Sequence, residues 1–104
     1  MRESKMDTNA KIKRLLELLA QERTLSGQYF GHKGQARVAD TEANYKAKVL
    51  EYHANEMSEE EKQKILRELE KALSRRDYHE KMAKEAKEKL DKVRKEIREI
   101  IGGE

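Results

Sequence analysis

The sequence predicts an all-α protein, and three observations carry that prediction. From Ser58 to Ile101 the chain has neither Pro nor Gly, and its apolar residues recur in steps of three and four. Charged residues make up 43% of the chain and hydrophobic ones 36%, against a charge content of about 25% in ordinary globular chains. The charges of Glu80–Lys84, Glu85–Lys89, Glu88–Lys92 and Asp91–Lys95 stand in the acid-first i,i+4 order that supports a solvated helix.

Residues 1–6 read as a polar leader. Asp7 or Thr8 can cap a first helix over about 8–25, with Ile12, Leu15, Leu16 and Leu19 turned inward and Leu18 beside them. Gly27 stands where a helix-ending glycine belongs, and residues 26–35 hold Gly27, Gly31 and Gly34, which predicts a glycine-rich loop. A second helix is expected over about 36–54. It has two apolar faces: Val38, Tyr45, Val49 and Tyr52 on one, and Ala36, Ala39, Ala43, Ala47, Leu50 and Ala54 on the other. Two such faces suggest a helix sandwiched between two neighbours. Asn55 suits a left-handed helix end, and Ser58 with Glu61 forms a capping box that opens the long helix over about 58–101. Arg98 in the final turn and Gly102 beyond it close that helix.

At about 1.5 Å per residue the long helix spans roughly 66 Å. Short connections make neighbours antiparallel, so the expected architecture is a single domain, an antiparallel helical hairpin or three-helix arrangement with one long C-terminal coiled-coil helix. Helices 1 and 2 then cover only its first part, with Arg37 opposite Arg76. Leu90, Val93, Ile97, Ile100 and Ile101 are left without intrachain cover, a loss on the order of 10 kcal/mol. They are therefore the expected interface of a homo-oligomer. A rival is a compact four-helix bundle in which the long helix breaks at Ser74–Asp77, where Ser and Asp make a second cap-like pair.

The same register brings the glycine-rich loop beside the segment where the long helix's apolar stripe turns polar. Arg23, Tyr29, Phe30, His32, Lys33, Gln35 and Arg37 would face Arg75, Arg76, Tyr78 and His79. Basic forks, aromatic rings and the N–H groups at the start of helix 2 would suit a small anion or a partner protein. The competing reading is structural: Tyr29 and Phe30 cap the bundle, and Arg76 and His79 are polar core residues that set helix register.

Other chemistry finds little support. His32 and His79 approach one another in this arrangement, but the chain has no i,i+4 His pair and no Cys, so neither a metal nor a cofactor is expected. Residues 27–33 lack the spacing and the Lys-Ser/Thr ending of a P-loop. No Ser or carboxylate pairs with a His in a catalytic pattern, so the chain reads as non-enzymatic. With 24 basic and 21 acidic residues the net charge is only +3, and Glu80, Glu85, Glu88 and Asp91 alternate with the lysines around them. Nucleic-acid binding is therefore not favoured. The longest apolar run, residues 15–20, is short and carries Glu17, so no membrane association is expected and a cytoplasmic location is the default. The reading these features support is an oligomeric helical binding protein that acts as an adaptor or inhibitor of a protein partner. Its rivals are an oligomer that sequesters a small nucleotide-like anion and a nucleic-acid-binding protein.

Overall fold

The computed structural model describes residues 7–102, and the polar leader assigned to residues 1–6 lies outside them. The described residues are helical almost throughout. Helix α1 spans Thr8–His53, a 3-10 turn spans Ala54–Glu56, and α2 spans Glu59–Gly102. Asp7 caps α1 as expected, its carboxylate accepting the Ala10 N–H at 2.8 Å. No helix among them is long and apolar enough to cross a membrane.

The largest correction concerns residues 26–35. They are helical, so there is no glycine-rich loop and no division into helices over 8–25 and 36–54. The three-helix arrangement gives way to two helices and one turn. Gly27, Gly31 and Gly34 all have ordinary φ, and a Cβ at any of them would meet nothing within 4 Å. Each costs the helix roughly 1 kcal/mol relative to alanine, which weakens a helix without ending one. What carries α1 across them is an inward row in unbroken three- and four-residue steps: Leu18, Glu22, Leu25, Tyr29, His32, Ala36 and Ala39. The glycines all fall off that row. The rival break at Ser74–Asp77 is absent too, since α2 is continuous there.

The reversal between helices also differs from expectation. Asn55 is not left-handed, because no non-glycine among the described residues has positive φ. The chain instead turns through the 3-10 segment, with the Met57 N–H donating to the Ala54 carbonyl at 3.1 Å, and leaves it with Met57 extended. The capping box then forms as predicted. The Glu61 N–H donates to Ser58 Oγ at 3.1 Å and the Ser58 N–H donates to Glu61 Oε1 at 2.8 Å, satisfying two of the orphan donors at a helix start.

Contacts divide the chain into two compact units, one made of the residues up to Phe30 with those from Lys84 onward, the other of Gly31–Ala83. In the first, the terminal unit, Leu18 and Leu90 are the largest fully buried side chains, and Ala86 and Val93 are buried as well. The helices are antiparallel, held by Arg14 Nε donating to Glu96 Oε2 at 2.8 Å and Arg94 Nε donating to Glu22 Oε2 at 3.0 Å. This corrects the expected oligomer face. Leu90 and Val93 are covered within the chain, Ile97 and Ile100 are half-buried, and of the five only Ile101 is exposed. The reason is that the part of α1 up to Phe30 packs with α2 from Lys84 onward in one unit, so these residues have cover from their own chain. The inward side of α1 also shifts. Leu18 lies at the centre, Leu15 and Leu25 are half-buried, and Ile12, Leu16 and Leu19 face solvent at 51%, 62% and 39% exposure.

The second, or turn, unit is a helical hairpin with a core of small residues. Ala36, Ala39, Ala43, Ala72 and Ala83 are buried, with Ile65 and Leu69 half-buried beside them. Lys46 Nζ donates to Glu68 Oε1 at 2.9 Å across the helices. That bond raises the lysine's pKa and lowers the glutamate's, the direction expected when each partner holds the other in its charged form. The alanine face of the expected sandwiched helix does pack, but Ala47 stays exposed, and Val38, Tyr45 and Tyr52 on the other face are exposed as well.

Candidate functional site

The apolar seam of the turn unit is interrupted by a polar layer built from both helices. His32 on α1 and His79 on α2 occupy inward positions, and their Nδ1 atoms are 2.8 Å apart. A bond of that length needs an Nδ1–H on one ring and an Nδ1 lone pair on the other, and either ring can take either role. Their centroids lie 5.1 Å apart with the planes tilted by 34°. Tyr78 presents an edge-on ring to both, at 6.3 Å from His32 and 5.1 Å from His79.

Beside this pair the arginines are committed to carboxylates. Arg76 Nη1 donates to Asp40 Oδ1 at 3.1 Å, and its Nε and Nη2 each donate to Asp77 Oδ1 at 3.2 Å. Hydrogen bonding to Asp40 first, then to Asp77, pushes the guanidinium's pKa above its ordinary value. Arg75 Nη2 donates to Glu42 Oε1 at 2.7 Å. Of the four arginines expected in the basic site, Arg75 and Arg76 are thus neutralised locally, by Glu42 and Asp40, which carry no local mark in the sequence. Because they flank the buried Ala39 and Ala43 on α1, following the alanine row across the glycines would have placed them opposite α2.

Of the remaining candidate residues, Lys33, Gln35 and Arg37 lie on exposed positions of α1 in the turn unit. Arg23, Tyr29 and Phe30 belong to the terminal unit, where Tyr29 and Phe30 pack edge to face at 5.0 Å and Phe30 is exposed. The start of a helix near Ala36, which recommended an anion, does not exist, since α1 is already helical from Thr8. The cluster that forms is His32, Tyr78 and His79, with Arg75 and Arg76 alongside as ion-paired residues. Among the described residues no group of three or more His, Asp or Glu gathers as metal ligands would. A separate shallow groove runs along α2, lined by Arg67, Glu70, Lys71, Ser74 and Arg75.

Polar residues on a coiled-coil seam fix register when each finds a partner across it. Here Glu22 reaches Arg94, Lys46 reaches Glu68, Arg76 reaches Asp40 and His32 reaches His79. No protein-family model, no curated protein and no solved structure matches this chain.

Proposed function

We propose that this chain is a non-enzymatic helical binding protein that self-associates and acts stoichiometrically, as an adaptor or inhibitor of a protein partner. One observation carries the reading: the apolar side chains are divided between a thin core and an exposed row. Among the described residues, only Leu18, Leu90 and Val93 of the buried hydrophobic ones are larger than alanine. Ile12, Leu16 and Leu19 meanwhile lie together on the solvent side of α1 in the terminal unit. So small a core gives limited stability by itself, and an aliphatic row of this kind can meet its own copy about a twofold axis. Completing the burial of these half-exposed side chains is worth about 1 kcal/mol each. The turn unit offers a different surface, Val38, Tyr45 and Tyr52 at seven-residue intervals on the outer side of α1. Exposed tyrosines in line are suited to a protein partner, because aromatic anchors dominate interface energetics.

Light scattering tests the self-association. The purified chain at micromolar concentration is expected to have a mass above that of one 12.2 kDa chain. The double variant Leu16→Glu, Leu19→Glu is expected to weaken association at least about 100-fold, because each copy would bring two unpaired charges into the contact. A wild-type monomer, or an unchanged mass in the variant, would sink the proposal.

A second reading keeps a small nucleotide-like anion but moves it to the groove on α2. There Arg67, Lys71 and Arg75 recur at four-residue steps beside Ser74, a spacing that puts three cations on one helix face. Glu70 in the same groove and the Arg75–Glu42 pair both oppose it. A ligand absorbing near 260 nm that copurifies with the chain would favour this reading over the first.

A further inference from the structure

We propose that His32 and His79 form a two-imidazole clamp for a divalent transition-metal ion, with Cu²⁺ and Ni²⁺ preferred over Zn²⁺. The inference rests on the turn unit alone and does not depend on self-association. Imidazole nitrogens bind such ions at about 2.0–2.1 Å. Two ligands at that distance are about 2.9 Å apart when they occupy neighbouring corners of a square or octahedron, and about 3.4 Å apart in a tetrahedron. The observed Nδ1–Nδ1 separation of 2.8 Å is close to the first value and short of the second. Tetragonal and octahedral geometries belong to Cu²⁺ and Ni²⁺, which also bind nitrogen ligands strongly in the divalent series.

The surroundings suit an ion held between the rings. Each histidine is followed four residues later, on the same helix face, by a buried alanine: Ala36 after His32 and Ala83 after His79. Arg76, three residues before His79 on α2, is already paired with Asp40 and Asp77, which offsets its repulsion of a second positive charge. Both rings are half-buried, so water can fill the remaining coordination positions. Binding of an ion by two neutral imidazoles releases no proton. The ring that donates through Nδ1 exchanges that proton through water for one on Nε2, both Nδ1 lone pairs face the ion, and the hydrogen bond is replaced by two metal–nitrogen bonds.

The test uses the full chain, stripped with chelator and titrated separately with Cu²⁺, Ni²⁺ and Zn²⁺ under calorimetry. Thermal melting is followed by circular dichroism. One ion of Cu²⁺ or Ni²⁺ should bind per chain and raise the melting temperature, with chelator reversing the shift. His32→Gln and His79→Gln should each weaken binding at least tenfold, the lower end of what even outer-shell changes cost a metal site. His53→Gln, which alters the exposed histidine at the end of α1, should leave binding unchanged. The electron paramagnetic resonance signal of bound Cu²⁺ should report two nitrogens in the wild type and one in each single variant. If the wild type binds no ion at 100 μM metal, the pair is a hydrogen bond only and the proposal is overturned. Equal binding by the His32→Gln, His79→Gln double variant overturns it as well.

Discussion

Replacing Gly27, Gly31 and Gly34 together with alanine is expected to stabilise the protein by about 2–3 kcal/mol, since each glycine in a helix interior costs roughly 1 kcal/mol relative to alanine. For a chain of this size that corresponds to a rise of roughly 10–20 °C in melting temperature. All three sites are helical with ordinary φ, and an added Cβ meets no atom within 4 Å. The gain therefore comes without a steric cost, mostly by restricting the unfolded chain. Thermal melting followed at 222 nm checks it. Had residues 26–35 formed the loop that their composition suggests, the same substitutions would be neutral or destabilising, so a lowered melting temperature would contradict the continuous α1.

Leu90→Ala is expected to cost about 2–5 kcal/mol, a large share of the 5–15 kcal/mol available to a typical domain. Leu90 is 1% exposed and is one of only two large side chains fully buried among the described residues. Its removal leaves a cavity in a unit whose other buried hydrophobic residues among those described are Leu18, Ala86 and Val93. Urea unfolding measures the loss, and Ile101→Ala serves as the control. That side chain is 64% exposed, and its truncation should stay within about 0.5 kcal/mol. The oligomeric mass separates this from an interface effect: Leu90→Ala should lower stability without changing the mass, because α1 of the same chain covers the site. A variant that lost mass while keeping its stability would put Leu90 between copies instead.

Much of α2 was legible in the sequence. Its apolar stripe, its capping box and its freedom from Pro and Gly all favour one helix, and they outweigh the cap-like pair at Ser74 and Asp77, through which α2 is continuous. The first half was less legible, because three glycines within residues 26–35 are a stronger local signal than the periodicity that runs through them. Leu18, Leu25, Tyr29, His32, Ala36 and Ala39 already kept the helical step, but the row passes through a glutamate, a histidine and several alanines, so it lacks the strong apolar contrast of α2. Ile12, Leu16 and Leu19 gave the stronger local signal and pointed to the wrong face. The candidate site was half legible for the same reason. Arg76 and His79 stood out as polar interruptions on α2, whereas Asp40 and Glu42, which neutralise the arginines, have no local mark.

The sequence by itself determined the all-helical class, a cap at Asp7 or Thr8, a reversal between about Ala54 and Ser58, and the polar interruption at Arg75–His79. Each of these follows from periodicity or from hydrogen bonds between residues at most four apart. Only the tertiary structure decided that α1 persists through its glycines, that Leu90 and Val93 are core rather than surface, and that the rings of His32 and His79 meet. Those outcomes depend on which residues of a distant helix lie opposite. Burial along the whole length of α2 outweighs a helix-propensity cost of roughly 1 kcal/mol at each glycine, a comparison that no local window of the chain contains.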